Sequence, residues 1–151
     1  MYTYSFLDVH ATIAGPGGVV SLGNGAGAAE EGITVEMAED KSTMTIGADG
    51  TPMHSLHAGK SGHVTVRLLK TSPTNNNLSL MYAVQTASGA LHGSNVIAIK
   101  NSLGDTITAR AVAFKKFPTQ TNAKEGGMVE WTFDAGIVDM SLAGLLLGLA
   151  G

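Results

Sequence analysis

The sequence predicts a mainly β fold, an antiparallel sandwich or barrel with one flanking α-helix, on three observations. Apolar and polar residues alternate with period two in several short runs, the mark of half-buried strands. The 151 residues include 20 glycines, about double the ordinary share, which favours turns and bulges over long helices. Only the segment after Ser72-Pro73 combines a helix start with helical spacing of apolar residues.

From the N-terminus, Tyr4 to Ala14 alternates, with Leu7, Val9, Ala11 and Ile13 on one side and Phe6, Asp8, His10 and Thr12 on the other. Gly15-Pro16-Gly17-Gly18 reads as a turn, and Val19 to Leu22 as a short returning strand. Gly23 to Gly32 is small, acidic and expected to be flexible. Ile33, Val35 and Met37 then alternate with Thr34 and Glu36, and Met44 to Ile46 is a weaker strand. Gly47 to Gly62 reads as a loop, with Asp49-Gly50 and Thr51-Pro52 as turn signals. That is long for a compact domain, where loops beyond about 12–15 residues usually carry function or disorder. His63 to Leu69 is a strand with Val64, Val66 and Leu68 facing inward.

Ser72 is the expected N-cap and Pro73 the first helical residue, where a missing N–H costs nothing. Leu78, Met81 and Gln85 share one line, Leu80 and Val84 lie beside it, and Gly89 is the expected stop. Asn95 to Lys100, Thr106 to Phe117 and Met128 to Val138 complete the strands; in the last, Val129, Trp131 and Phe133 alternate with Glu130, Thr132 and Asp134. There is neither a long repeat nor an internal linker, so residues 1–151 read as a single domain. Within it, about 38–62 form a long loop and 140–151 an apolar tail.

A chain of this length can bury about two thirds of its unfolded surface without a metal or disulfide. It has no cysteine, which removes thiol chemistry and cysteine-ligated zinc. Charged residues make up only 14% against 44% hydrophobic, leaving much weakly polar surface to be wetted or to meet another copy. Met1 to Ser5 lacks the pattern of a secretory signal, and the run Leu142 to Leu149 is far shorter than the roughly 20 residues a membrane span needs. A soluble protein made in a cytoplasm is the expectation.

Charge is laid out in blocks. Asp8, Glu30, Glu31, Glu36, Glu39 and Asp40 occupy residues 1–40 with no base, and Glu125, Glu130, Asp134 and Asp139 occupy 125–151 with none. Between 60 and 124 lie Lys60, Arg67, Lys70, Lys100, Arg110, Lys115, Lys116 and Lys124, with Asp105 the one acid. Either folding mixes the blocks on one surface, or it leaves opposed faces that meet head to tail between copies.

No catalytic constellation emerges. Gly59-Lys60-Ser61 resembles a phosphate loop, but the glycine five positions before Gly59 is replaced by His54, and a strand follows instead of a helix. Gly23 to Gly27 resembles a dinucleotide fingerprint whose helix is cut off by Gly32 and the β-branched Ile33, Thr34 and Val35. His54, His57 and His63 are metal candidates without a carboxylate at helical spacing, so they read as interface or loop histidines. No serine sits in a nucleophile elbow. Glu30-Glu31 and Glu39-Asp40 read as solvated faces, and Lys115-Lys116 between Phe114 and Phe117, too weak a patch for nucleic acid in an acidic chain, reads as ordinary strand-end solvation. No cofactor, metal or enzymatic activity is expected. A small metal-dependent enzyme using the histidines is an alternative reading, and it predicts bound metal in purified protein.

Tyr4-Ser5-Phe6-Leu7-Asp8-Val9, Glu30 to Met37, Met44 to Gly50, His54 to Lys60, Val64 to Pro73, Ala113 to Lys116 and Gly127 to Phe133 form a collinear set across residues 3–139. Together they resemble the tail tube protein family of contractile-tailed bacteriophages. The resemblance implies a structural subunit in a virion tail, assembled in the host bacterial cytoplasm as six-membered rings stacked into a tube. Implied partners are other copies of the chain, the tail sheath, baseplate and tail terminator proteins, and DNA passing through the lumen without specific binding. The alternative is a tube subunit of a phage-derived contractile injection particle, tailocin or secretion-type, with no DNA cargo.

On this reading Met44, Ile46, Met53, His54, Leu56, His57 and Lys60 are candidate contacts between subunits, in a segment from Ala38 to Gly62 expected to be loose until a neighbour orders it. Thr34, Glu36, Glu130, Thr132 and Asp134 are candidate lumen residues, giving an acidic and small-polar lining. The Leu-rich tail after Met140 has no counterpart in the resemblance.

Overall fold

The computed structural model describes residues 9–23, 28–101, 103–124 and 126–142. Nine strands and one helix follow in order: β1 His10–Gly15, β2 Gly18–Ser21, β3 Ala28–Met37, β4 Ser42–Ile46, β5 Pro52–Leu56, β6 Gly62–Leu69, α1 Thr74–Thr86, β7 Asn95–Lys100, β8 Thr106–Lys116 and β9 Met128–Ser141. Seven strands build one curled sheet in the order β2-β1-β7-β8-β9-β6-β3, every neighbouring pair antiparallel, while β4 and β5 form a separate two-stranded hairpin. The expected antiparallel β architecture with one helix is what the chain adopts.

The alternation read from sequence decides which face is covered. Val9, Ala11 and Ile13 are buried, as are Val64, Val66 and Leu68, and Val129, Trp131 and Phe133. Phe6, Leu7 and Asp8 lie outside the described residues. Midway along β8 and β9 the alternation shifts phase on both strands at one level. Ala109 and Val112 are buried around exposed Arg110 and Ala111, and Ala135 and Val138 around exposed Gly136 and Ile137. Ala111 takes the left-handed conformation, φ 53°, and a Cβ on Gly136 would lie 3.1 Å from the Ala111 Cβ. Here β8 slips register against β7, from Ile97 opposite Ala109 to Asn95 opposite Val112, and an extra residue at such a bulge bends the strand and raises its twist. Both halves of the sheet thereby turn an apolar face to the same core.

The core centres on aromatic rings. Phe114 meets Phe133 at 4.8 Å between ring centroids and Trp131 at 5.7 Å, and Phe117 reaches Trp131 at 5.4 Å. From the helix, Tyr82 sets its ring edge-on to Phe114 and Phe117. Helix burial differs from the sequence expectation: Leu78, Met81 and Gln85 are inside, but Leu80 and Val84 are exposed. The helix starts at Thr74 with Pro73 in the cap position, and the Ser72 hydroxyl accepts from the Thr74 amide at 3.3 Å. It ends at Thr86, well before Gly89.

Two uncharged amide clips fix the helix. Near its start, Asn75 accepts from the Trp131 indole N–H at 3.0 Å and donates to the Leu69 carbonyl at 2.9 Å. Near its end, the buried Gln85 and Asn95 amides exchange bonds at 2.8 and 2.6 Å, Gln85 also donating to Pro16 O and Asn95 to Val112 O. Gly15 leaves the space for this pair, since a Cβ there would stand 1.9 Å from Asn95 Oδ1. A buried amide that loses its partner pays its full desolvation cost.

One expectation is corrected here. Gly47 to Gly62 is not a plain loop: Pro52–Leu56 pairs with Ser42–Ile46, from Ser42 opposite Leu56 to Ile46 opposite Pro52. Proline is tolerated because it opens an edge strand, where its missing N–H breaks no inner ladder bond. β3 likewise starts at Ala28, inside the stretch expected to be flexible, and β9 runs on to Ser141.

Two substitutions test this core. Phe133→Ala is expected to cost about 3–5 kcal/mol in urea unfolding, as for other large-to-small aromatic changes. Gln85→Leu is expected to cost about 1–3 kcal/mol by stranding the Asn95 amide, whereas the double change Gln85→Leu with Asn95→Leu recovers part of that loss.

Candidate functional site: a polar sheet face and a projecting arm

On the side of the sheet away from the core, β3, β6 and β9 present a polar face in register. One row across the strands is Glu36, His63 and Asp134, and the next is Thr34, Thr65 and Thr132. Beyond these, Arg67 stands opposite Glu130. The five residues singled out from sequence, Thr34, Glu36, Glu130, Thr132 and Asp134, therefore share one face although they come from strands far apart in the chain.

Sequence reasoning missed the middle strand. His63 Nδ1 lies 2.8 Å from Asp134 Oδ1; Arg67 Nε lies 3.3 Å from Glu130 Oε2, and its Nη1 donates to the Thr34 hydroxyl at 2.9 Å. The signal was present, because once Val64, Val66 and Leu68 face inward, His63, Thr65 and Arg67 must face out. The face thus sets basic side chains against acids around a row of threonines.

All four ion pairs among the described residues join a base of the 60–124 block to an acid of β9: Lys60–Asp139, His63–Asp134, Arg67–Glu130 and Arg110–Asp139. Of the two readings of the charge blocks, mixing on one surface describes these pairs. Glu36, Glu39 and Asp40 form no ion pair among the described residues.

The hairpin β4–β5 projects from this end of the sheet as an arm. Met44, Ile46, Met53 and Leu56 are 57%, 54%, 59% and 80% exposed. Cross-strand pairing puts Met44 with His54, Ile46 with Pro52 and Leu56 with Ser42, so one side of the arm is largely apolar. His57 turns to the other side, its Nε2 3.1 Å from the Thr43 hydroxyl. The root is fastened by Ala38 N to Ser61 O at 3.0 Å, Val138 N to Lys60 O at 2.8 Å, and the Lys60–Asp139–Arg110 cluster. His54, His57 and His63 stand apart in three different settings, and no group of three or more His, Asp or Glu side chains fit to hold a metal occurs among the described residues.

At the arm's tip the Asp49 carboxylate accepts from the Thr51 backbone N–H at 3.0 Å. That bond and one from the Thr51 side chain hold its pKa below the usual 3.8.

This curled sheet with its flanking helix is the tube fold of contractile particles. Similar structures include the sheath–tube complex of PVC, an extracellular contractile injection system, in its extended state, with TM-score 0.59, 12% identity and 93% of each chain covered. The tail of an empty GTA particle has TM-score 0.58, 10% identity, and 93% of this chain and 98% of that one covered. The tube-terminating cap of the anti-feeding prophage has TM-score 0.53 and 12% identity, covering 94% and 93%. No curated protein matches the sequence. Residues 1–143 match the family of the bacteriophage PhiTE tail tube protein, and the chain belongs to that family. It is a tail tube subunit of a phage or phage-like particle.

Two measurements follow from this geometry. A double-mutant cycle on Arg67→Met and Glu130→Gln is expected to give a coupling of about 0.2–1 kcal/mol, as for other partly exposed pairs, falling as salt rises. The Asp49 carboxyl is expected to titrate below 3.8 by NMR, with the Thr51 amide shift following it. Because its folded pKa lies below the unfolded value, the turn's support is present above the unfolded value and is lost as pH falls through the folded one.

Proposed function

We infer that the subunit assembles with its own kind into six-membered rings that stack into a tube, and that the β3–β6–β9 polar face lines the channel for DNA. The observation that carries assembly is the arm, which leaves four large apolar side chains in water beside a well-filled core. An isolated two-stranded hairpin is marginal in water, and burying such side chains stabilises each by about 1.5–3 kcal/mol. A neighbouring copy, in this reading one in the adjacent ring, supplies that burial. Among the described residues β2 and β3 are the outermost strands of the sheet, which supports lateral contact, since sheet edges are templates for further strands.

The polar face suits a channel through which a polyanion slides. Its Arg67 is engaged by Glu130, its His63 lies against Asp134, and its middle is a row of threonines. Few free positive charges are offered to phosphate, and Glu36 adds repulsion. Sheath, baseplate and terminator proteins are the outer and end partners in this reading. An injection particle without DNA cargo remains the second reading, favoured by the fold shared with the PVC and anti-feeding prophage structures. The subunit works by binding and assembly and not by catalysis.

The test is electron microscopy of purified protein, in which hollow tubes with a regular ring repeat are expected. Ile46→Asp with Leu56→Asp should abolish tubes while changing subunit stability by no more than about 0.5 kcal/mol, as is usual for exposed positions. Tubes that form normally from this variant would remove the arm from the assembly contact. Trypsin should cut near Lys41 and Lys60 faster in dispersed subunits than in tubes; equal rates would mean that assembly leaves the arm uncovered.

A further inference from the structure

The two ends of the sheet carry exposed surfaces of opposite charge. At the arm end, β4 and β5 leave Met44, Ile46 and Leu56 exposed, and from Ser42 to Gly59 the one residue among Asp, Glu, Lys and Arg is Asp49, at the tip. Glu36, Glu39 and Asp40 stand at the root beside Lys41. Neither they nor Asp49 form an ion pair among the described residues.

At the far end, Leu69 of β6 faces Met128 of β9 across the ladder, on the side away from the core. The pair is 47% and 50% exposed. Met128 borders two depressions. The larger, of about 340 Å³, is lined by Lys116, Thr119, Thr121, Met128, Glu130 and Thr132. The smaller, of about 100 Å³, has Lys70 in its wall. At about 30 Å³ for one water in the liquid, the larger admits side chains. Lys115 and Lys124 are exposed at the same end. None of these four lysines forms an ion pair among the described residues, and Glu130 is held by Arg67. Lys70 donates to Asn122 Oδ1 at 2.7 Å and to the Thr121 carbonyl, both neutral acceptors that leave its charge uncompensated.

We propose that the arm of one copy docks on the far end of the next, its apolar side over Leu69 and Met128 and its tip beside Lys116. This docking rests on the arm being an assembly contact, as inferred above, and says where on the neighbour it lands. Two features select a second copy as the occupant. The arm brings apolar side chains and acids, and the far end offers an apolar pair and lysines, so the surfaces match in both respects. They also lie at opposite ends of one strand: Met128 starts β9, and the Val138 amide bonds the arm root at Lys60 O. At about 3.3 Å per residue these points are roughly 33 Å apart. A contact between opposite ends repeats without closing on itself and so extends a stack. The outer side of the helix is a poorer seat. It exposes Leu80 and Val84, but no Asp, Glu, Lys or Arg occurs from Thr71 to Ile99 to meet the acids of the arm.

The absence of native cysteine gives a clean test. Ala48→Cys at the tip with Met128→Cys, in the full chain treated with a bismaleimide, should give a ladder of dimers, trimers and longer species. Its yield should rise with protein concentration and fall several-fold over a tenfold rise in salt. Ala48→Cys with Leu80→Cys should cross-link several-fold less. A stronger ladder from the Leu80 pair would move the seat to the helix, and no ladder from the Met128 pair would remove the far end; either overturns the proposal. Electron microscopy of the same samples separates this from the ring reading. Tubes without the Met128 ladder overturn the docking surface alone, and the ladder without tubes overturns the rings alone. On the Met128 pair, Asp49→Asn, which keeps an acceptor for the Thr51 amide, and Lys116→Gln should each lower the yield several-fold. Combined, they should lower it no further than either alone. Losses that multiply, or no loss from either, would show that the tip does not sit beside Lys116.

Discussion

β9 lies between β8 and β6 and bonds to both along most of its length, so each of its residues has to satisfy two neighbours at once. Inward, Val129, Trp131, Phe133 and Ala135 fill the centre of the core, and the rings of Phe114, Phe117 and Tyr82 gather around them. Outward, Glu130, Asp134 and Asp139 receive the bases of β6, β8 and the arm root. Core, polar face and arm are all referred to this one strand. A slip of one residue in its register would exchange the two faces, burying three carboxylates and exposing the aromatic cluster.

The blocks of charge along the chain acquire a physical sense from that arrangement. Bases in the middle of the sequence and acids near its end reach each other only when β6 and β8 flank β9. Exposed pairs of this kind add little stability, but they favour this order of strands over orders that set like charges side by side. Of the first acidic block, Glu36, Glu39 and Asp40 take no part in these pairs among the described residues.

Much of the sheet was legible because alternation is a local signal. Val64, Val66 and Leu68 on β6, and Val129, Trp131 and Phe133 on β9, face the core as their spacing indicates. Lumen candidates could be grouped on one face for the same reason, but His63 and Arg67 join that face only because β6 lies between β3 and β9, a pairing no single segment displays. What failed was set by pairings and contacts that alternation along one segment does not show. Thr51-Pro52 reads locally as a turn, yet Pro52 opens β5 because Ile46 lies across from it. Leu80 and Val84 look as buried as Leu78, but the clips at Asn75 and Gln85 decide which side of the helix turns inward. The double phase shift at Ala111 and Gly136 needs both strands to be seen together.

From Thr71 to Ile99 the sequence holds no Asp, Glu, Lys or Arg, and both attachments of the helix are made by carboxamides. A carboxamide neither gains nor loses a proton across the range of natural waters, and its bonds are not screened by dissolved ions as a salt bridge is. The helix therefore sits on the sheet through contacts indifferent to acidity and salinity, while the ion pairs of the opposite face answer to both. A subunit anchored in this way keeps its helix on the sheet through bonds that mild acid does not titrate and added salt does not screen.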